Sequence, residues 1–207
     1  MSVSSRSLLL IFVKHPVAGQ SKTRLAAGIG HEKALAVYQD LLMYTARQVT
    51  TISQKKTVYY GNFVPDEDLW AEAGYPRFLQ EGTDLGERMW HAFQHAAENG
   101  YERIVIIGSD CPGLTSDHLE AAFSALDDHD AVLGPALDGG YYLLGLKKPD
   151  STLFLNKTWS TDDVAARTRR DFAALGWTYQ ELATLNDVDT VEDLVGTFLE
   201  PYANPAR

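Results

Sequence analysis

Residues 104–114, Ile-Val-Ile-Ile-Gly-Ser-Asp-Cys-Pro-Gly-Leu, decide how the rest of the chain is read. Four consecutive aliphatic residues bury a strand on both faces, and the chain then turns through Gly108, Pro112 and Gly113 with Asp110 held in the bend. An acid at the carboxyl end of a buried parallel strand faces the crevice where open α/β sheets place their ligands. Capping of a following helix is the alternative role for Asp110, but Thr115 and Ser116 are better placed for it.

Outward from this strand, short aliphatic and β-branched runs alternate with helical patterns, the signature of βαβ units. Strands are expected at 8–13, 57–60, 77–79, 104–107, 131–133, 142–146 and 179–182, and helices at 32–49, 85–98, 116–126, 161–175 and 191–198. Thr190 followed by Asp193 resembles a capping box with a shortened acid. The fold class is therefore α/β with a mostly parallel sheet. Residues 1–200 read as one domain and 201–207 as a loose tail.

The chain has 207 residues, 45% of them hydrophobic, enough for one generous core. Its formal net charge of −10 opposes a nucleic-acid backbone, so no polynucleotide partner is expected. The single cysteine, Cys111, permits no intrachain disulfide, and the longest early apolar run, 8–13, is too short for a membrane span. Cytoplasmic operation is the expectation, and the oligomeric state is left open.

Four polar segments fall at predicted strand exits: 14–25, 80–89, 108–114 and 134–141. In the first, KHPVAGQSKTRL, Gly19 can bend the loop while Lys14, Lys22 and Arg24 offer cations to a phosphorylated ligand. A Walker loop is excluded because Pro16 and Ser21 stand where glycines are needed, and Gly28 with Gly30 fails the dinucleotide fingerprint because Lys33 replaces its third glycine. Asp110 suits Mg²⁺ or Mn²⁺, which take oxygen ligands and keep water or phosphate oxygens in their shell. In GPALDGGY, Asp138 before two glycines fits either close approach to a substrate or a plain hairpin turn. Asp187 and Asp189 precede an expected helix, and capping alone could explain Asp189. His91 and His95 share a helical face, but Ala92 stands where a zinc-protease motif needs glutamate, so no zinc site is expected. Cys111 reads as a small packing residue.

Six segments occur in one order: KHPVAGQSKTRL (14–25), QEGTDLGERM (80–89), IGSDCPGL (107–114), GPALDGGYYLLG (134–145), NKTWST (156–161) and DVDTVEDL (187–194). In these the chain resembles the radical-SAM/selenodomain-associated bacterial glycosyltransferases, relatives of the GT-A nucleotide-diphospho-sugar transferases. Its first loop and closing acidic segment are also similar to those of phospholactate guanylyltransferases. The resemblance implies a GT-A-like three-layer α/β/α fold. It also implies phosphate contacts from Lys22 and Arg24, with Lys14 and Gly19 in the same loop. A base and ribose pocket at Gln80, Gly82, Leu85 and Gly86 follows, with a metal on Asp110 and Asp189. Asp138, Gly139, Gly140 and Tyr141 would line the acceptor or transferred group, closed by Trp159, Ser160 and Thr161.

In one respect the chain departs from GT-A glycosyltransferases: Pro112 stands where the second acid of an Asp-X-Asp pair would be. The leading expectation is metal-assisted sugar transfer from a nucleoside diphosphate sugar to a small acceptor, with Asp138 orienting or deprotonating the acceptor hydroxyl. The alternative is nucleotidyl transfer from a nucleoside triphosphate with release of pyrophosphate. A third reading is a nucleotide-binding regulator without turnover.

Overall fold

The computed structural model describes residues 6–203. Seven strands form one sheet: β1 (Ser7–Val13), β2 (Lys55–Tyr60), β3 (Arg77–Leu79), β4 (Arg103–Ile107), β5 (Ala131–Pro135), β6 (Tyr141–Leu146) and β7 (Tyr179–Glu181). Their order is β3-β2-β1-β4-β6-β5-β7. Only β6 runs against its neighbours, β4 and β5. The reason is covalent: β5 and β6 are joined by residues 136–140, too few for the crossover that a parallel pair requires.

The helices are α1 (Thr23–Ile29), α2 (His31–Thr51), α3 (Leu69–Glu72), α4 (Leu85–Glu98), α5 (Ser116–Asp128) and α6 (Val164–Leu175). Strand alternation sorts β1 into two cores. Leu9, Ile11 and Val13 pack with Tyr38 and Leu42 of α2 and Phe123 of α5, whereas Leu8 and Leu10 pack with Met89 and Phe93 of α4 and Phe172 of α6. Helices thus cover both faces, giving the expected three layers and explaining why the central strands are apolar throughout.

A third cluster joins Leu25 of α1 and Val37 and Leu41 of α2 to Val188, Leu194 and Leu199. This packing carries the acidic segment 187–189 back across the first loop. The expected helix at 191–198 is replaced by a 3₁₀ turn at Glu192–Leu194. Gly196 takes a left-handed φ of 77° and ends it, and Asp193 turns back to accept from the backbone N–H groups of Asp189 and Thr190 at 3.0 and 2.7 Å. The helix expected from 161 starts at Val164, because residues 161–163 form a turn in which the Thr161 hydroxyl donates to Asp163 at 2.8 Å. The short α3 was not foreseen; Asp68 caps it by accepting from Trp70 and Ala71 N–H. Of the tail expected to be loose, Pro201 and Tyr202 lie in a 3₁₀ turn, with the Tyr202 hydroxyl donating to Asp40 at 2.7 Å. Residues 204–207 lie outside the described part. Among the described residues no helix is long and apolar enough to cross a membrane.

Candidate active site

Asp110 leaves the carboxyl end of β4 where the sequence places it, and its backbone carbonyl accepts from Val188 N–H at 3.0 Å. That bond stitches the acidic segment onto the end of the central strand. Val188 turns inward and is fully buried. Its neighbours Asp187 and Asp189 line the same cleft as Asp110.

Lys22 closes the arrangement from the first loop. Its ammonium lies 2.8 Å from Asp110 Oδ2 and 3.6 Å from Asp189 Oδ1, and it donates to the Val188 carbonyl at 2.6 Å. The side chain is only 5% exposed, so the ammonium is turned inward onto the acidic segment. Burial favours its neutral form, but Asp110, then Asp189 and Asp187, outweigh burial and hold its pKa above the ordinary lysine value. Lys22 adopts a left-handed backbone, φ 51°, at the start of α1, which aims the side chain back under the strand ends. Arg24 stands one turn outward, 74% exposed, and donates to Asp189 Oδ2 at 2.7 Å.

The cleft above these groups has a volume of about 450 Å³, within the usual range for small-molecule sites. Its walls include Asp138 and Gly140 from the β5–β6 turn, Tyr141, Leu85 of α4, and Trp159, Ser160 and Thr161 from the segment before α6. Asp138 serves both roles left open by the sequence: Oδ1 accepts from Gly140 N–H at 2.8 Å to hold the hairpin, while the residue also faces the cleft. The Tyr141 ring meets Trp159 edge-on at 6.4 Å, and its hydroxyl points to Met89 Sδ at 3.6 Å.

Two glycines let the Trp159 segment close in. A β-carbon at Gly86 would sit 2.2 Å from both the Phe154 carbonyl and Trp159 Nε1. At Gly139, where φ is +88°, it would sit 1.9 Å from the Asp162 carbonyl. Neither position has room for a side chain, which lets the wall close in.

Other residues of the expected nucleotide pocket lie outside this cleft. Lys14 borders a separate cavity with Tyr60, Asp68 and Trp70. Gly19 is exposed at the tip of the first loop with φ 76°. Gln80 donates to the Tyr59 carbonyl at 3.0 Å, and Gly82 packs against Glu87 and Arg88 of α4.

Asp187 is the residue that sequence reasoning underrated. Burial, then the charges of Asp110, Asp138 and Asp189, push its pKa up to about 7, against an attraction from Lys22. Its spacing of two from Asp189 was the available signal, since alternate residues of an extended segment share a side. Cys111 packs beneath, buried, its thiol pushed up to about 12 first by burial and then by Asp187. It is therefore a poor nucleophile.

The raised Asp187 pKa has a consequence for stability. Between the ordinary value of 3.8 and about 7 the unfolded chain gives up this proton while the folded chain keeps it, so the folded state loses ground as pH rises through that window. Asp187→Asn should stabilise the ligand-free protein, with a gain that grows from pH 4 to pH 7 and then levels at on the order of 2 to 4 kcal/mol. Denaturant titrations of both proteins across that window check it. A gain independent of pH would refute the assignment.

Among the described residues no three His, Cys, Asp or Glu side chains converge as a ready-made metal cage. Asp110 and Asp189 nevertheless converge on one cation, the Lys22 ammonium, and both present hard oxygen donors. This donor set fits a divalent ion that takes its remaining ligands from water and substrate phosphate.

The comparisons agree with this architecture. A protein of Desulfovibrio desulfuricans G20, provisionally assigned as a nucleotide-diphospho-sugar transferase, has a crystal structure that superposes with a TM-score of 0.84 at 35% identity, covering 92% of this chain and 85% of that one. The inositol-1-phosphate CTP transferase of T. maritima shares the fold at 13% identity, TM-score 0.63, covering 97% and 96%. In sequence, the chain is 25% identical over 184 residues to a phosphoenolpyruvate guanylyltransferase of Sphaerobacter thermophilus, 84% of each protein. These relatives place it among transferases of the nucleotide-diphospho-sugar fold. Residues 30–161 match the model of DUF2064, described as an uncharacterized protein conserved in bacteria, and the chain belongs to that family.

Proposed function

We propose that the chain transfers a glycosyl group from a nucleoside diphosphate sugar to a small-molecule acceptor, with Mg²⁺ or Mn²⁺ as the metal. The observation that carries this reading is that Asp110 and Asp189, held together by Lys22, both line a cleft of about 450 Å³ at the end of the central strand. The 35% identity to a protein assigned as a nucleotide-diphospho-sugar transferase favours the same donor class.

Asp110 and Asp189 would hold the ion, which when bound offsets the charge that develops on a departing diphosphate. Arg24, exposed at the rim, would add a guanidinium to the phosphates. Lys22 would keep the two carboxylates aligned and could turn one donor hydrogen toward a phosphate oxygen. Leu85, Tyr141 and Trp159 offer apolar and aromatic surface to the sugar. Asp138, through the oxygen not committed to Gly140, would orient the acceptor hydroxyl and receive its proton. The base and ribose would lie toward Gln80, Gly82 and Gly86, past the first loop with Lys14 and Gly19.

The guanylyltransferase relative favours a second reading, nucleotidyl transfer from a nucleoside triphosphate with the same carboxylates and metal. The products separate the two. Incubation with a panel of nucleotide sugars, nucleoside triphosphates and Mn²⁺ should yield nucleoside diphosphate and a glycosylated acceptor. Acceptor-dependent release of pyrophosphate would overturn glycosyl transfer in favour of the second reading.

A further inference from the structure

Among the described residues the cleft walls carry five carboxylates, Asp110, Asp138, Asp162, Asp187 and Asp189, against the single guanidinium of Arg24. Arg24 is already paired with Asp189, and Lys22 beneath is already paired with Asp110. The nearby cations that could have served an anionic acceptor are turned to other faces. Lys157 pairs with Asp171 and Arg167 with Asp163, and both line a separate cavity beside α6. Arg88 donates to the Gly82 carbonyl at 3.1 Å and borders a different cavity with Phe78 and His91. A donor diphosphate with one divalent ion brings no surplus positive charge, so a second phosphate or carboxylate on the acceptor side would face Asp138 and Asp162 without a partner. Like charges on the wall discriminate against such a ligand, most of all at low salt.

From this charge balance we infer that the acceptor is an uncharged, hydroxylated compound, and that Asp138 and Asp162 exclude phosphorylated and carboxylated acceptors. This rests on the transferase reading and deepens it by naming the acceptor class. Carboxylate oxygens accept hydrogen bonds from hydroxyls, so Asp138 and Asp162 on the cleft wall suit an uncharged polyol or sugar. In the transfer, the acceptor oxygen forms a bond to the anomeric carbon. The bond from that carbon to the diphosphate oxygen breaks, its electron pair leaves with the nucleoside diphosphate, and the hydroxyl proton passes to Asp138.

The test is anion binding to the full chain and to an Asp138→Asn/Asp162→Asn double variant. Asparagine keeps an oxygen for Gly140 N–H, so the hairpin is preserved. Phosphoenolpyruvate and glycerol 3-phosphate are titrated by calorimetry, each with and without Mn²⁺ and a nucleoside diphosphate, and glycerol serves as the neutral probe. Both anions should bind the double variant about tenfold or more tightly than the wild type, most of all at low salt, while glycerol gains nothing from the change. Micromolar binding of either anion to the wild type, or equal binding by the two proteins, would overturn the inference. Failure of every nucleotide to bind with Mn²⁺ would instead remove the transferase reading, a separate result because the anion titrations are also run without nucleotide.

Discussion

Asp110→Asn should reduce turnover by about 10² to 10³ while leaving unfolding cooperative, the loss typical when one preorganised group that stabilises transition-state charge is removed. The substitution deletes one negative charge at the exit of β4 and spares the burial of the strand, whose Ile104 to Ile107 are all closed to solvent. Asparagine fills nearly the same volume, so Val188 N–H still meets the backbone carbonyl of residue 110 and the acidic segment stays in place. What disappears is half of the pair that converges on a cation. Steady-state kinetics beside a denaturant melt separate the two effects. Wild-type turnover in the variant would show that the carboxylate takes no part in the chemistry.

Lys22→Met should carry the largest stability cost. The ammonium is nearly sealed from solvent and touches Asp110, Asp189 and the Val188 carbonyl. Removing one partner from a fully buried ion pair typically costs about 3 to 5 kcal/mol, but Asp110 and Asp189 are 42% and 36% exposed and water screens the charges left behind, so a cost of about 1 to 3 kcal/mol is expected here. For a chain of this length that corresponds to a melting temperature lower by roughly 5 °C. Mn²⁺ should restore more of the melting temperature in the variant than it adds to the wild type, since an ion can occupy the point the ammonium vacates. Scanning calorimetry with and without Mn²⁺ reads both quantities. An unchanged melting temperature, or an ion effect equal in both proteins, would contradict the role assigned to Lys22.

How far the sequence carried these conclusions differed by level. The strands were legible because β1, β4 and β5 are buried on both faces and so read as unbroken aliphatic runs. The reversal of β6 was legible only as one of two readings of GPALDGGY, the hairpin turn, and the five-residue link at 136–140 contains the reason. The missed end of the chain is instructive in a different way. Residues 191–198 have apolar spacing suited to a helix, but Val191 and Leu194 turn to the cluster that holds Leu25 and Val37, and Gly196 breaks the turn. Tertiary burial decided there, and local propensity lost.

In the site, Asp110 was legible because a strand exit fixes where a side chain goes. Lys22 was identified, but its direction was not, since a left-handed residue at the start of α1 turns the side chain inward and nothing in KHPVAGQSKTRL announces that φ. Asp187 became important only when the third cluster folded the segment back over β4. Gly86 and Gly139 show how motif residues can shape a site through what they lack: each makes room for the Trp159 segment to form a wall.

The central claim is that Asp110 and Asp189 bind a donor's phosphates through a shared divalent ion, and calorimetric titration of a nucleoside diphosphate into the protein with and without Mn²⁺ tests it most directly. The account predicts tight binding only with Mn²⁺, and loss of that dependence in Asp110→Asn. Equal affinity in the presence and absence of the ion would contradict it.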